Sequence, residues 1–310
     1  MSTIVPNLWF AGNAEEGAQF YARTFRNATA AVTSRYPASG LPDFQVGMAG
    51  QALTVDVTIG ASAQEADRQR LTLINAGAEF RPNPALSIMV NFDPSVLEDA
   101  QAYLDSVWAC LCDGGTVLME LGSYPFSERY GWVEDRYGVS WQLILTNPAG
   151  EPRPFLIPSF VFSGPVQNRA QEAVEFYTTV FGQVFGHSQL ATSVPYPRPD
   201  GPAAAGALMF SDFTLAGEWF TAMDSGTEMS QTFTAGFSLV VRCQDQQQID
   251  QLWEALSADP AAEQCGWCVD KFGVSWQIVP AALDGTPMTV EAYQAVLGMK
   301  KLVIADIPGL

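Results

Sequence analysis

The chain has 310 residues, 48% of them hydrophobic and only 15% charged, enough for two or three domains with a well-buried core. Fifteen Lys and Arg against 33 Asp and Glu give a formal charge of −18, which argues against binding to nucleic acid or to an anionic membrane. No basic start with an apolar run reads as a signal peptide and no segment approaches a membrane span, so a cytoplasmic protein is expected.

In chain order, residues 4–10 read as a short apolar strand, broken at Gly12-Asn13, with Asn13 placed to cap the next helix. Residues 14–26 are predicted helical, with Ala18, Tyr21 and Phe25 on one stripe. Strands follow near 28–35, 52–58 and 70–75, with a Pro-bounded loop at 37–42. A second unit has a strand at 86–92 and a helix at 95–111, with Val96, Ala100, Tyr103, Val107 and Leu111 on one side.

The stretch GWVEDRYGVSWQLIL, residues 131–145, reads as a hairpin. Asp135-Arg136-Tyr137-Gly138 is the turn, and Gly138 supplies a backbone angle that other residues resist. In the strand after it, Ser140, Gln142 and Ile144 share one face, and Val139, Trp141 and Leu143 the other. The apolar face is the natural seat of a helix. The face with a lone amide suggests a cavity.

That stretch returns as GWCVDKFGVSWQIVP at 266–280, identical at eight of fifteen positions, so the chain is internally duplicated. Ser275 and Gln277 repeat the polar face. The preceding elements repeat as well: a strand at 155–162, a helix carrying Val174, Tyr177 and Phe181, strands near 207–210 and 218–223, then a strand at 236–243 and a helix with Ile249, Leu252, Trp253 and Leu256. Phe20-Tyr21 and Phe176-Tyr177 occupy the same place in the two copies, and aromatics at this spacing read as core. The longer loop 195–202 replaces 37–42. The expected organisation is a first domain at 1–146, a linker at 147–154, a second domain at 155–285, and a helix with tail at 286–310, the helix spanning 290–302.

Five cysteines without a secretion signal argue against a disulfide framework. Cys265 and Cys268 have the spacing of a redox dithiol, but they enter a strand hairpin rather than a helix N-terminus that would lower a thiol pKa. No second close-spaced pair or histidine offers zinc a site. The single histidine, His187, nearly excludes a Ser–His–Asp or Cys–His catalytic group. There is no glycine-rich phosphate loop and no dinucleotide fingerprint.

Several of these segments together resemble a known family. They are Val5-Pro6-Asn7-Leu8-Trp9-Phe10, the Phe20-Tyr21 helix, Gly236-Phe237-Ser238, the helix at 249–256, Cys265-Gly266-Trp267, the run from Asp270 to Gln277, and the tail with Met299-Lys300-Lys301-Leu302. The resemblance is to the PhnB-like branch of the vicinal oxygen chelate superfamily, often labelled 3-demethylubiquinone-9 3-methyltransferase-like. That superfamily includes glyoxalase I, bleomycin-resistance proteins and extradiol dioxygenases. The second copy is the closer match, and the first departs around 75–85. The resemblance implies an α+β fold: tandem glyoxalase-like domains, each of two βαβββ modules, four in all, with curved sheets enclosing a pocket. It also implies that the dimer of single-domain relatives is fused here as an intrachain pseudo-dimer, with a further homo-oligomer left open.

In the superfamily's enzymes a divalent metal sits on His and Glu, sometimes Gln, from several strands. Gln142 and Gln277 fall at the position of the last ligand. The first-strand position falls near Pro6 and Pro158, and the fifth-strand position at Ser87 and Ser238. Three useful ligands cannot be gathered, so no metal and no cofactor is expected. The methyltransferase label brings no visible S-adenosylmethionine site, and no catalytic residue is assigned. The leading expectation is a metal-free protein that binds a small organic molecule in an aromatic-lined pocket, oriented by Ser87, Ser140, Gln142, Ser238, Ser275 and Gln277. Two alternatives stand beside it: a metal-dependent glyoxalase- or dioxygenase-type enzyme, and a pseudo-dimer in which the glutamines only satisfy buried hydrogen bonds.

Overall fold

The computed structural model describes residues 2–62, 64, 68–284 and 288–310. The expected boundary between the second domain and the tail, at 285–286, lies outside the described residues. Four strand–helix–strand modules follow one another. The first comprises β1 (Ile4–Ala11), α1 (Ala14–Thr24), β2 (Thr29–Arg35), β3 (Ala52–Gly60) and β4 (Arg68–Ala76). The second comprises β5 (Leu86–Phe92), α2 (Ala100–Cys112), β6 (Thr116–Tyr124), β7 (Ser127–Glu134) and β8 (Ser140–Leu145). The third comprises β9 (Leu156–Phe162), α3 (Ala170–Phe185), β10 (Gln189–Pro195), β11 (Leu208–Leu215) and β12 (Glu218–Asp224). The fourth comprises β13 (Phe237–Cys243), α4 (Gln246–Leu256), β14 (Trp267–Val269) and β15 (Ser275–Pro280), and α5 (Val290–Gly298) follows it.

The modules do not pair within the sequence halves. The first module joins the fourth in a seven-stranded sheet, ordered β14-β15-β13-β1-β4-β3-β2. The second joins the third in an eight-stranded sheet, ordered β10-β11-β12-β9-β5-β8-β7-β6. The joins are antiparallel: Asn7 of β1 lies opposite Ser238 of β13, and Ser87 of β5 opposite Ser159 of β9. Each sheet therefore draws on both repeats.

The helices lie between the sheets. α1 buries Ala14, Gly17, Ala18 and Tyr21 against its own strands and carries Tyr21 and Phe25 to Trp141 of β8, with ring centroids 5.3 Å apart in both pairs. α3 does the same with Tyr177 and Phe181 against Trp276 of β15. The predicted apolar stripes are thus core, and one continuous hydrophobic cluster runs through both sheets.

Three local expectations are corrected. Asn13 makes no side-chain cap; the Ala14 N–H is satisfied from the adjacent strand by Asn75 Oδ1 at 3.2 Å, as Asp224 Oδ1 satisfies Ala170 in α3. α2 begins at Ala100 rather than at 95, because Asp93 and Pro94 form a separate turn in which Asp93 Oδ1 accepts from the Ser95 N–H, leaving Val96 exposed. α5 ends at Gly298, because the Met299 and Lys300 carbonyls accept from the N–H groups of Cys265 and Gly266, both at 2.8 Å. The tail so flanks β14, where the fourth module, among the described residues, has no strand corresponding to β6.

The duplicated hairpin motif has a buried centre. Asp135, 2% exposed, accepts hydrogen bonds from Tyr21 Oη (2.8 Å), Trp141 Nε1 (2.9 Å) and the backbone N–H groups of Tyr137 (2.8 Å) and Val139 (3.1 Å). Asp270 repeats this with Tyr177 (2.7 Å), Trp276 (2.8 Å), Phe272 (2.8 Å) and Val274 (3.0 Å). Burial pushes both carboxyls above the ordinary range, while the indole and phenol donors pull them back. Gly138 and Gly273 close the turns at φ of +87° and +92°, as the hairpin reading requires. Replacing Asp135 by Ala strips an acceptor from two buried side-chain donors, each costing about 1–3 kcal/mol when left unpaired. Chemical denaturation of Asp135→Ala is expected to show a loss of roughly 2–5 kcal/mol, and Tyr21→Phe a smaller one.

Candidate functional site

The division of faces expected for the strand after the turn is observed. Val139, Trp141 and Leu143 are fully buried toward the helices. Ser140 and Gln142 lie on the opposite face, and the rest of that face in the second sheet supplies their partners. Gln142 Nε2 donates to Ser87 Oγ at 2.7 Å and to Ser159 Oγ at 3.3 Å, while Tyr130 Oη donates to Gln142 Oε1 at 2.9 Å. Ser140 Oγ accepts from Trp132 Nε1 at 2.7 Å. Gln142 is 1% exposed, and Ser87, Ser140 and Ser159 are fully buried. Both ends of the amide are therefore spent within the protein.

The first sheet arranges its copy more loosely. Gln277 Nε2 donates to Ser238 Oγ at 2.9 Å, and Asn7 Nδ2 reaches the same hydroxyl at 3.5 Å. Asn7 is 2% exposed, and its Oδ1 has no partner among the described residues. Trp267 lies opposite Gln277 in the ladder and meets Trp9 edge to face at 5.9 Å. Ser275 is buried beside them, opposite Val269.

Pro6 and Pro158, near which the resemblance puts the first-strand position, face away from Gln142 and Gln277. Both prolines line a small hollow of about 70 Å³ together with Ile4, Leu71, Ile88 and Leu156. Alternation then turns Asn7 and Ser159 onto the polar faces. Thr72 and Thr221 lie beside them in register. Sequence reasoning missed Asn7, Ser159, Tyr130 and both threonines. The alternation of large apolar residues in β1 and β9 was the signal that could have found Asn7 and Ser159.

These residues do not fit a divalent metal. The polar faces gather Asn7, Thr72, Ser238 and Gln277 in one sheet and Ser87, Gln142, Ser159 and Thr221 in the other, all neutral hydroxyls and amides. Both adjacent carboxylates are paired with an arginine. Asp56 accepts from Thr72 Oγ1 at 2.8 Å and pairs with Arg70 at 3.0 Å, and Asp212 Oδ2 pairs with Arg153 at 2.9 Å while its Oδ1 has no partner among the described residues. Among the described residues no group of three or more His, Cys, Asp or Glu could hold a metal ion. His187 is exposed, at φ +41°, with its carbonyl accepting from Gly217. Burial raises the Cys265 thiol and pushes that of Cys268 up to about 12, the reverse of what a reactive dithiol needs.

A hollow of about 590 Å³ lies away from the six residues expected to bind a ligand. Its walls are the β6–β7 tip and the exit of β8: Tyr124, Pro125, Phe126, Leu145, Thr146 and Pro148 are among them. Phe126 is 61% exposed and stacks on Tyr124 at 5.7 Å. Both pack edge-on against Tyr130, whose hydroxyl holds Gln142. Thr146 Oγ1, also in the wall, is buried without a partner among the described residues. Gln142 thus connects to this hollow through one aromatic ring.

A model of the family described as 3-demethylubiquinone-9 3-methyltransferase matches residues 2–144 and 155–279. The chain belongs to this family. It forms the PhnB-like branch of the vicinal oxygen chelate superfamily, here in tandem. A search of curated proteins finds no significant match. Among solved structures, a PhnB protein from Bacillus cereus is 31% identical, covering 47% of this chain and all of its own length, with a TM-score of 0.37. A Pseudomonas aeruginosa protein is 22% identical over 47% of this chain and 98% of its own, also at 0.37. Glyoxalase I from Zea mays is 11% identical over 90% of this chain and 94% of its own, at 0.52, a likeness of fold alone. No helix among the described residues is long and apolar enough to cross a membrane.

Because Gln142 is spent on Tyr130, Ser87 and Ser159, Gln142→Ala is expected to cost about 1–3 kcal/mol in denaturant unfolding. Gln277→Ala, which breaks one short hydrogen bond, should cost less. Equal losses, or none for Gln142→Ala, would contradict this ranking.

Proposed function

We propose that this PhnB-like protein is a metal-free binder of a small, flat organic molecule, held in the hollow beside the β6–β7 tip. The observation that carries the reading is the hollow itself. Its volume of about 590 Å³ falls within the roughly 300–1,000 Å³ usual for ligand sites. Its wall presents the stacked rings of Tyr124 and Phe126, with prolines and Leu145 around them. Thr146 Oγ1, buried in that wall, has no hydrogen-bond partner among the described residues. Ser123, Ser127, Glu128 and Asn147 also line the hollow, so stacking on the ring pair is joined by polar contacts that orient the ligand.

Gln142 acts at one remove in this reading. It holds Tyr130, and Tyr130 supports Tyr124 and Phe126 from behind. Ser87, Ser140 and Ser159 complete the support rather than touch the ligand. The neutral donor set of the polar faces favours binding over metal-assisted chemistry.

The test is a thermal-shift screen of flat aromatic compounds. A ligand present at about a hundred times its Kd adds roughly 2.7 kcal/mol of stability. Phe126 is exposed, so Phe126→Ala should leave the unliganded melting temperature unchanged and abolish the shift given by any hit. Tyr124→Ala should weaken it. If no compound stabilises the protein, or if hits act equally on Phe126→Ala, the hollow is not the site.

A further inference from the structure

At one end of the first sheet, away from the hollow, two arginines converge on a single carboxylate. Arg242, on β13, is 6% exposed; its Nη1 donates to the Ser2 carbonyl at 3.2 Å, and its Nη2 lies 2.8 Å from Asp284 Oδ2. Arg70, on β4, donates through Nη1 to Asp284 Oδ1 at 3.1 Å and Oδ2 at 3.2 Å, and pairs with Asp56 at 3.0 Å. Asp284 belongs to neither strand; it follows the short turn Ala281–Leu283 beyond β15, and its side chain is 28% exposed. Despite its short contact, Arg242 Nη2 makes no aligned hydrogen bond among the described residues. Among the described residues, charge rather than an aligned hydrogen bond holds Arg242 Nη2 to Asp284.

The duplication shows that the fold does not require this pair. In the second sheet the place of Arg242 is taken by Asn91, which donates to the Pro154 carbonyl at 2.7 Å. The place of Arg70 is taken by Trp219, with Arg153 stacked over its ring at 4.0 Å. That sheet closes without two guanidinium groups facing one acid. Burying such a cluster costs several kcal/mol per ion and stabilises a fold poorly. Arg70 through Nη1 and Arg242 through Nη2 bring two cationic heads onto one carboxylate, the charge arrangement that holds a carboxylate.

We propose that Arg70 and Arg242 form a carboxylate-binding site, and that the tethered side chain of Asp284 occupies it until an external carboxylate takes its place. Without Asp284, the cluster of Arg70, Arg242 and Asp56 carries one net positive charge in a half-buried setting, which favours an anion. A tethered competitor acts at high effective concentration, so it masks the site from weak anions and yields only to a ligand with further contacts.

The experiment compares thermal unfolding of the full chain in sodium acetate and in sodium chloride at matched ionic strength. Wild type should respond equally to the two salts. Asp284→Ala should melt lower than wild type and be restored saturably by acetate but not by chloride, with an apparent acetate affinity roughly tenfold or more above that of wild type. Adding Arg242→Gln to Asp284→Ala should remove the acetate effect. Asp284→Asn keeps the side-chain size, and should show the same acetate selectivity if the alanine variant folds poorly. Equal responses of both Asp284 variants to acetate and chloride would overturn the proposal. So would acetate rescue that survives Arg242→Gln, or restoration by inorganic phosphate where acetate fails.

Discussion

Each repeat is held together by one buried carboxylate. Asp135 and Asp270 sit in hairpin turns of one module and accept from a tyrosine on the helix of the module before it. Since those modules belong to different sheets, each carboxylate ties the sheets to one another. The position demands an acceptor and nothing else. Indole and backbone N–H groups only donate, so an amide would aim its own N–H₂ at them. A carboxyl with so little exposure is tolerated because four donors replace the water it loses. The same constraint fixes the neighbours: Tyr at the helix stripe, Trp six residues after Asp, and Gly at the positive-φ corner.

With both sheets fixed in this way, the repeats are free to diverge at their edges. The second sheet keeps the long β6–β7 hairpin, whose tip projects past β8 and walls the hollow. In the first sheet the C-terminal tail lies along β14, through the Met299 and Lys300 carbonyls. Lys300 and Lys301 fasten that tail to Glu263 and Asp250. One ancestral surface has become a cavity wall in one sheet and a docking edge for the tail in the other.

Most of the modules were legible because strands and helices leave different periods. Trp141 and Gln142 could be assigned to opposite faces from alternation alone, and the helix stripes Ala18-Tyr21-Phe25 and Val174-Tyr177-Phe181 from their spacing. Module pairing was not legible. A β1 edge buries the same pattern of Leu8 and Phe10 whether it joins β5 or β13, so the sequence carries no mark of the exchange across repeats. Asp135 reads as an ordinary turn residue because its side-chain partners lie 6 and 114 positions away. Pro6 sits inside β1, as the reading of 4–10 as one strand expects, within the apolar alternation of Ile4, Leu8 and Phe10, and the polar face belongs to Asn7.

The polar faces follow from what buried groups can tolerate when they must satisfy one another. Three or four carboxylates and imidazoles gathered without an ion would repel or shift their pKa values to neutral forms. Hydroxyls and amides can satisfy one another and remain buried at little cost. Gln142 does this with Ser87, Ser159 and Tyr130, and the network is closed except at its aromatic end. A closed network is rigid, and here the rigidity is delivered to Tyr130, against which Tyr124 and Phe126 stand. Gln142 therefore orients a ring in this chain, and its reach extends from the sheet interior through Tyr130 to the wall of the hollow.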